Sequence, residues 1–239
     1  MNFDIVNTNI VNVSADAIVL PANTRLKEGS GTSRAIFEAA GRKQLTQACR
    51  KIGTCPVGSA VPTLAFDLNA KYIIHAVVPK WMGGENGEYE LLSSAYLSSL
   101  NIADIMGCES IAFPLLASGN NGFDRELAFQ IAKESIESFD GIHVKKVILV
   151  LFGNQTANLA KELGYRVLEI PGDIHKEAQK QAQKDKTKKM MDDGKEIALS
   201  FLDEQVQKGL EYLKDERNRK KILAAGVWIA KQAFKAVKK

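Results

Sequence analysis

The chain has 239 residues, 45% of them hydrophobic and 25% charged, with a formal net charge of +4. That length buries a full-sized core, for one large domain or for one domain with an appendage, and the composition is that of an ordinary soluble globular protein. It excludes a membrane span, because no run approaches the roughly 20 uncharged apolar residues such a span needs.

Met1-Asn2-Phe3-Asp4 lacks the basic and apolar regions of a signal peptide. Three cysteines (Cys49, Cys55, Cys108) and three histidines (His75, His143, His175) stand without metal-ligand spacing. Reduced thiols in a cytoplasmic protein are expected, with neither a metal nor a cofactor.

In chain order, Ile10–Val13 and Ala17–Leu20 are short apolar runs that read as buried strands. A helix is expected over 33–40, capped by Thr32 or Ser33 and closed by Gly41. Tyr72–Val78 is a β-branched run. A long helical pattern follows through Leu91, Ala95, Leu100 and Ile105, ended by Gly107. Ser110–Phe113 is a strand stopped by Pro114, and Leu127, Ile131 and Ile136 mark a helix. Val147–Phe152 is the most apolar strand, followed by a short helix and a last strand from Arg166 to Ile170. Strands alternating with helices predict an α/β fold with a mostly parallel or mixed sheet and helices on both faces.

In such sheets, ligands bind beyond the carboxyl ends of the strands. Two small, polar, glycine-bearing segments fall there, Asn23 to Ser33 and Pro114 to Phe123, each leading into a helix. Loop N–H groups and the positive end of a helix dipole suit a phosphate, and glycine allows close approach. Each segment alone reads as a turn. Together they suit a diphosphate held from both sides.

The stretch Asp16-Ala17-Ile18-Val19-Leu20-Pro21-Ala22-Asn23, followed by Gly29-Ser30-Gly31 and Ala35-Ile36, resembles the macrodomain signature. Tyr72 to Pro79 and Ser110 to Gly119 resemble two further segments of that family, in the same order. The resemblance covers residues 1 to about 170. It implies a three-layer α/β/α macrodomain with a mixed central sheet at 1–171, which binds ADP-ribose free or attached to protein. The remainder, 172–239, is expected to be a basic α-helical extension.

The resemblance also implies roles. Asn9 and Ile10 match the adenine-binding turn, where the family has Asp; Asn9 could equally be a turn residue. Phe152 matches an aromatic that stacks on adenine, and a Phe ending an apolar strand is otherwise core. Asn23 matches the signature Asn at the distal ribose, although it also has turn chemistry. Gly29, Ser30, Gly31, Thr32 and Ser33 match the first phosphate loop, with Ser30 replacing a glycine. Ala117, Ser118, Gly119, Asn120 and Gly122 match the second. Asn121 stands near the family's distal-ribose aromatic, with Phe123 as its substitute.

The mono-ADP-ribosyl hydrolases of the family carry an Asp where this chain has Ser33, which reads more naturally as a helix cap. Asp124 and Glu126 follow the second loop, within reach of the site or simply in a first helical turn, and His75 reads as a satisfied core histidine. Two functions stay open. One is an ADP-ribose reader or an ester hydrolase acting through Asn23 and an ordered water. The other is an assembly protein with a degenerate macrodomain.

Residues 1–172 hold 15 basic and 17 acidic side chains, whereas 173–239 hold 17 and 11. Leu199, Leu202, Val206, Leu210 and Leu213 form one helical stripe, and 220–239 read as a basic amphipathic helix. A solvated face, a protein partner, an oligomer contact or an anionic membrane all fit residues 195–239. Nucleic acid does not, because aromatic interleaving is thin.

Overall fold

The computed structural model describes residues 1–169. The helical extension expected over 172–239, with its stripe and basic face, lies outside the described residues.

Seven strands form one sheet in the order β3-β4-β2-β5-β6-β1-β7. They are β1 (Asn2–Asn7), β2 (Ala17–Ala22), β3 (Ala60–Leu64), β4 (Tyr72–Val77), β5 (Ser110–Pro114), β6 (Lys146–Leu151) and β7 (Val167–Glu169). Every pairing is parallel except β3 with β4, so the sheet is mixed. The helices are α1 (Thr32–Ala40), α2 (Arg42–Ile52), α3 (Glu88–Ile105), α4 (Arg125–Glu137) and α5 (Asn154–Glu162). One core packs α3 and α4 on one face of the sheet, and a second packs α1 and α2 on the other. This is the three-layer arrangement expected.

The strongest strands are the most apolar. In β6, Val147 to Leu151 are all buried because helices cover both faces. β3 carries Pro62, which a sheet tolerates on an edge strand, and β3 is an edge. Pro21 lies in β2 beyond the residues that pair with β5, where its missing N–H costs little.

Helix α3 is buried from Leu92 to Leu100, so it shows little amphipathic pattern. Its serines are small enough to let neighbours close in, and each is satisfied. Ser94 Oγ donates to Gly58 O at 2.8 Å, Ser98 Oγ accepts from Ala60 N at 3.1 Å, and Ser93 pairs with Ser135 at 2.9 Å.

Two local expectations are corrected. Ile10–Val13 is not a strand: Ile10–Asn12 form a 3-10 turn, with Asn9 Oδ1 accepting from Val11 N at 3.3 Å. A polar Asn ahead of the run supplies the cap that starts the turn. Neither Thr32 nor Ser33 caps α1. Gly31 does, at φ 57°, without a side-chain bond.

Candidate functional site

The parallel strands end on one edge of the sheet, and their exits carry the site. Moving from β4 through β2, β5 and β6 to β1 crosses four strand spacings, roughly 19 Å at about 4.8 Å each. The β4 and β2 exits make one end, β2 and β5 the middle, and β6 and β1 the other end.

In the middle, the two glycine-bearing loops face each other. Asn120 Nδ2 donates to Ser30 Oγ at 2.6 Å, so residues 90 apart in sequence meet across the groove. Gly31 (φ 57°) and Gly122 (φ 81°) turn their loops through left-handed backbone. Ala117 does so at φ 62° without being a glycine, a strained conformation of the kind found at binding loops. Among the described residues, the backbone N–H groups of Ser30, Gly31, Ser118, Gly119 and Asn120 have no acceptor. Gly29 N–H is taken by Ser33 Oγ at 3.0 Å. The middle of the row is therefore rich in donors on both sides. Thr32 opens α1, adding the positive end of its dipole.

Asn23 follows β2 and is exposed, but its side chain is folded onto its own loop. Oδ1 accepts from Arg25 N (3.1 Å) and Lys27 N (3.2 Å), and Nδ2 donates to Lys27 O at 2.7 Å. Asn121 Nδ2 donates to Pro79 O at 2.7 Å, which pins the second loop to the β4 exit. Phe123 is only 4% exposed and belongs to the core, edge-on to Trp81 with ring centroids 5.1 Å apart. It lies beneath the second loop and forms no aromatic cover over it. Its apolar ring gains more from burial than a lid position offers.

At the other end, Thr8 N–H donates to Leu151 O at 3.0 Å, which brings the β1 and β6 exits together. Ile10 is buried beside Asn9. Phe152 stands just past β6 and is 75% exposed. A Phe left in solvent at the end of a buried strand is the exception among the eight described phenylalanines.

Groups suited to acid–base chemistry are occupied elsewhere. Ser33 is buried with its hydroxyl on Gly29 N–H. Asp124 caps α4, accepting from Glu126 N (3.0 Å) and Leu127 N (3.1 Å). His75 is fully buried on β4, 2.9 Å from Thr63 Oγ1, and burial holds its imidazole down at about 3. Burial likewise pushes the Cys49 thiol up to about 11 and those of Cys55 and Cys108 to about 12, so none is nucleophilic at neutral pH. Among the described residues no cluster of His, Cys, Asp and Glu could hold a metal ion, and no helix is long and apolar enough to cross a membrane.

Two residues of this edge escape sequence reasoning. Glu88, 2% exposed, begins α3 and accepts from Met82 N (2.9 Å), Gly84 N (3.1 Å) and Asn86 N (2.7 Å). Burial alone would raise its carboxyl. Backbone N–H groups of Glu88, Asn86, Gly84 and Met82 outweigh that and hold it at about 2. Trp81 precedes this ring and donates its N–H to Asn121 O at 2.8 Å. An aromatic followed by a glycine cluster and an acid just before a long helix was the available signal.

Comparison with known proteins agrees with this fold. A family model for the Macro domain matches residues 19–132. A macro domain-containing protein of Caldanaerobacter subterraneus is 42% identical over 155 residues, covering 63% of this chain and 89% of the relative. An O-acetyl-ADP-ribose deacetylase of Citrobacter rodentium is 41% identical over 165 residues, covering 66% and 93%. The Oceanobacillus iheyensis macrodomain solved with ADP superposes with a TM-score of 0.63 at 30% identity, covering 66% of this chain and 87% of that one. With the signature strands in place, the two loops opposed and relatives matched over nearly their whole length, the chain belongs to the macro domain family.

Proposed function

We propose that this protein binds ADP-ribose, free or attached to protein, and acts by binding it. The observation that carries this reading is the pair of loops at the β2 and β5 exits, joined by Asn120 and Ser30, in which the N–H groups of Ser30, Gly31, Ser118, Gly119 and Asn120 have no acceptor among the described residues. A diphosphate is the ligand group that uses donors on two sides. Phe152 supplies a stacking face for adenine beside Asn9 and Ile10, and Asn23 with Asn121 borders the distal ribose. Asn9 Oδ1 already accepts from Val11 N, so adenine selection rests more on the Phe152 ring than on a charged acceptor.

A second reading, hydrolysis of an ADP-ribose ester, is favoured by the 41% identity to an O-acetyl-ADP-ribose deacetylase. Against it, Ser33 and Asn23 are both committed to loop hydrogen bonds, and Glu28, the one carboxylate of the first loop, is paired with Arg42 at 2.7 Å. The deciding experiment incubates the protein with O-acetyl-ADP-ribose and with ADP-ribosylated protein. Saturable binding without product release supports the binder. Turnover that disappears in Asn23→Ala establishes the hydrolase.

A further inference from the structure

The loop between β4 and α3 is built around one acid. Three backbone N–H groups converge on Glu88, which folds residues 82–86 into a ring on its carboxylate. The residue entering that ring is Trp81. Its indole is half-buried, edge-on to Tyr89 at 5.3 Å and to Phe123 at 5.1 Å. Its backbone is tied to the second phosphate loop by Trp81 N–H to Asn121 O at 2.8 Å, returned by Asn121 Nδ2 to Pro79 O at 2.7 Å. A Cβ at Gly122 would sit 3.6 Å from Trp81 Cβ, so the loop and the tryptophan are in direct contact. Val78 N–H donates to Ala22 O at 3.4 Å, which sets the same loop beside Asn23. Asn23, Asn121 and Trp81 thus lie on neighbouring strand exits, at the end of the row away from Phe152.

Resting on the binding reading above, we propose that Trp81 forms the outer wall of the distal-sugar end and selects an apolar acyl substituent carried on that sugar, with Glu88 as its positioning residue. Asn121 turns its amide onto Pro79 and Val78 carbonyls, and Phe123 is in the core. Trp81 is the half-buried aromatic joined to this end of the second loop. Its face offers apolar contact to an acyl chain, and its Nε1–H can donate to the acyl carbonyl.

The test uses the full chain carrying Trp228→Phe, which leaves Trp81 as the sole tryptophan. ADP, ADP-ribose and O-acetyl-ADP-ribose are titrated by calorimetry and by tryptophan emission. ADP is expected to bind without moving the emission, and the two ribose-bearing ligands to bind and move it. Trp81→Ala should weaken O-acetyl-ADP-ribose about fivefold while leaving ADP unchanged, with Trp81→Phe intermediate. Glu88→Ala should reproduce that selective loss. Glu88→Gln should retain selectivity, because its carbonyl still accepts from two of the three loop N–H groups. Equal weakening of ADP and O-acetyl-ADP-ribose in both Trp81 variants, or an emission unmoved by saturating ADP-ribose, overturns this inference alone. If none of the three ligands binds, the binding reading falls with it.

Discussion

Asn120 reaches from the loop after β5 to the loop after β2 and donates to Ser30 Oγ at 2.6 Å. Ser30 stands where the family pattern that this chain resembles has a glycine, so the bond rests on a departure from that pattern. The bond holds the two loops at one separation before any ligand arrives, which lowers the ordering cost of binding. Both side chains are exposed, so its worth is at the low end for a neutral hydrogen bond, about 0.5–1 kcal/mol. Ser30→Ala and Asn120→Ala are each expected to weaken ADP-ribose by about two- to fivefold. The double variant should be no weaker than the worse single one, a coupling that a double-mutant calorimetric cycle reads directly.

Gly31 holds φ 57° and ψ −126° at the start of α1. A Cβ there would meet nothing within 4 Å, so the cost of substitution is conformational and not steric. Gly31→Val forces a β-branched residue into backbone that only glycine adopts readily, at roughly 1–3 kcal/mol. The melting temperature should fall by about 2–4 °C for each kcal/mol. ADP-ribose affinity should fall much further, roughly tenfold or more, because the loop must reshape to relieve the strain. Differential scanning calorimetry beside a binding titration separates the two effects.

Phe152 is 75% exposed, so it contributes little to folding. Phe152→Ala should leave the melting temperature unchanged and weaken both ADP-ribose and AMP by about five- to tenfold, the value of one aromatic stack. Ribose 5-phosphate, which has no base, should bind the variant and the wild type alike.

His75 titrates at about 3 in the folded protein because burial excludes its charged form. The unfolded chain takes up that proton near its ordinary value of about 6.5. This contribution to stability is therefore complete above pH 6.5 and is lost as pH falls from there towards 3. Urea unfolding should show stability dropping below pH 6 by up to about 1.4 kcal/mol per pH unit from this residue. His75→Phe should cost stability at pH 7, where it strands Thr63 Oγ1, and should flatten the slope between pH 6 and 4.

Much of the fold was legible because its elements carry strong periodic signals. β6 is an unbroken apolar run, and α1 ends at Gly41 with φ 88°. The elements that escaped are those whose residues disguise them. β1 (NFDIVN) mixes polar and apolar residues, β3 contains Pro62, and α2 buries only Leu45 and Cys49 among basic and polar neighbours. Their identity comes from tertiary pairing, such as β1 lying between β6 and β7. The two loops that meet at Ser30 and Asn120 were legible as glycine-bearing segments following strands. The Glu88 ring was not, because it is made from backbone N–H groups, which every residue type but proline supplies alike. Phe123 was misread for a related reason: a loop Phe has the same letter whether it faces the ligand or the core.

If the opposed loops hold the diphosphate of ADP-ribose, isothermal titration of the full chain with ADP-ribose reads it as heat of binding. The wild-type chain should bind one-to-one and saturably with a Kd well below about 1 mM, corresponding to more than about 4 kcal/mol. Binding should weaken sharply in Gly31→Val and only slightly in Ser30→Ala. No saturable heat at millimolar ADP-ribose with the wild-type chain folded would contradict it.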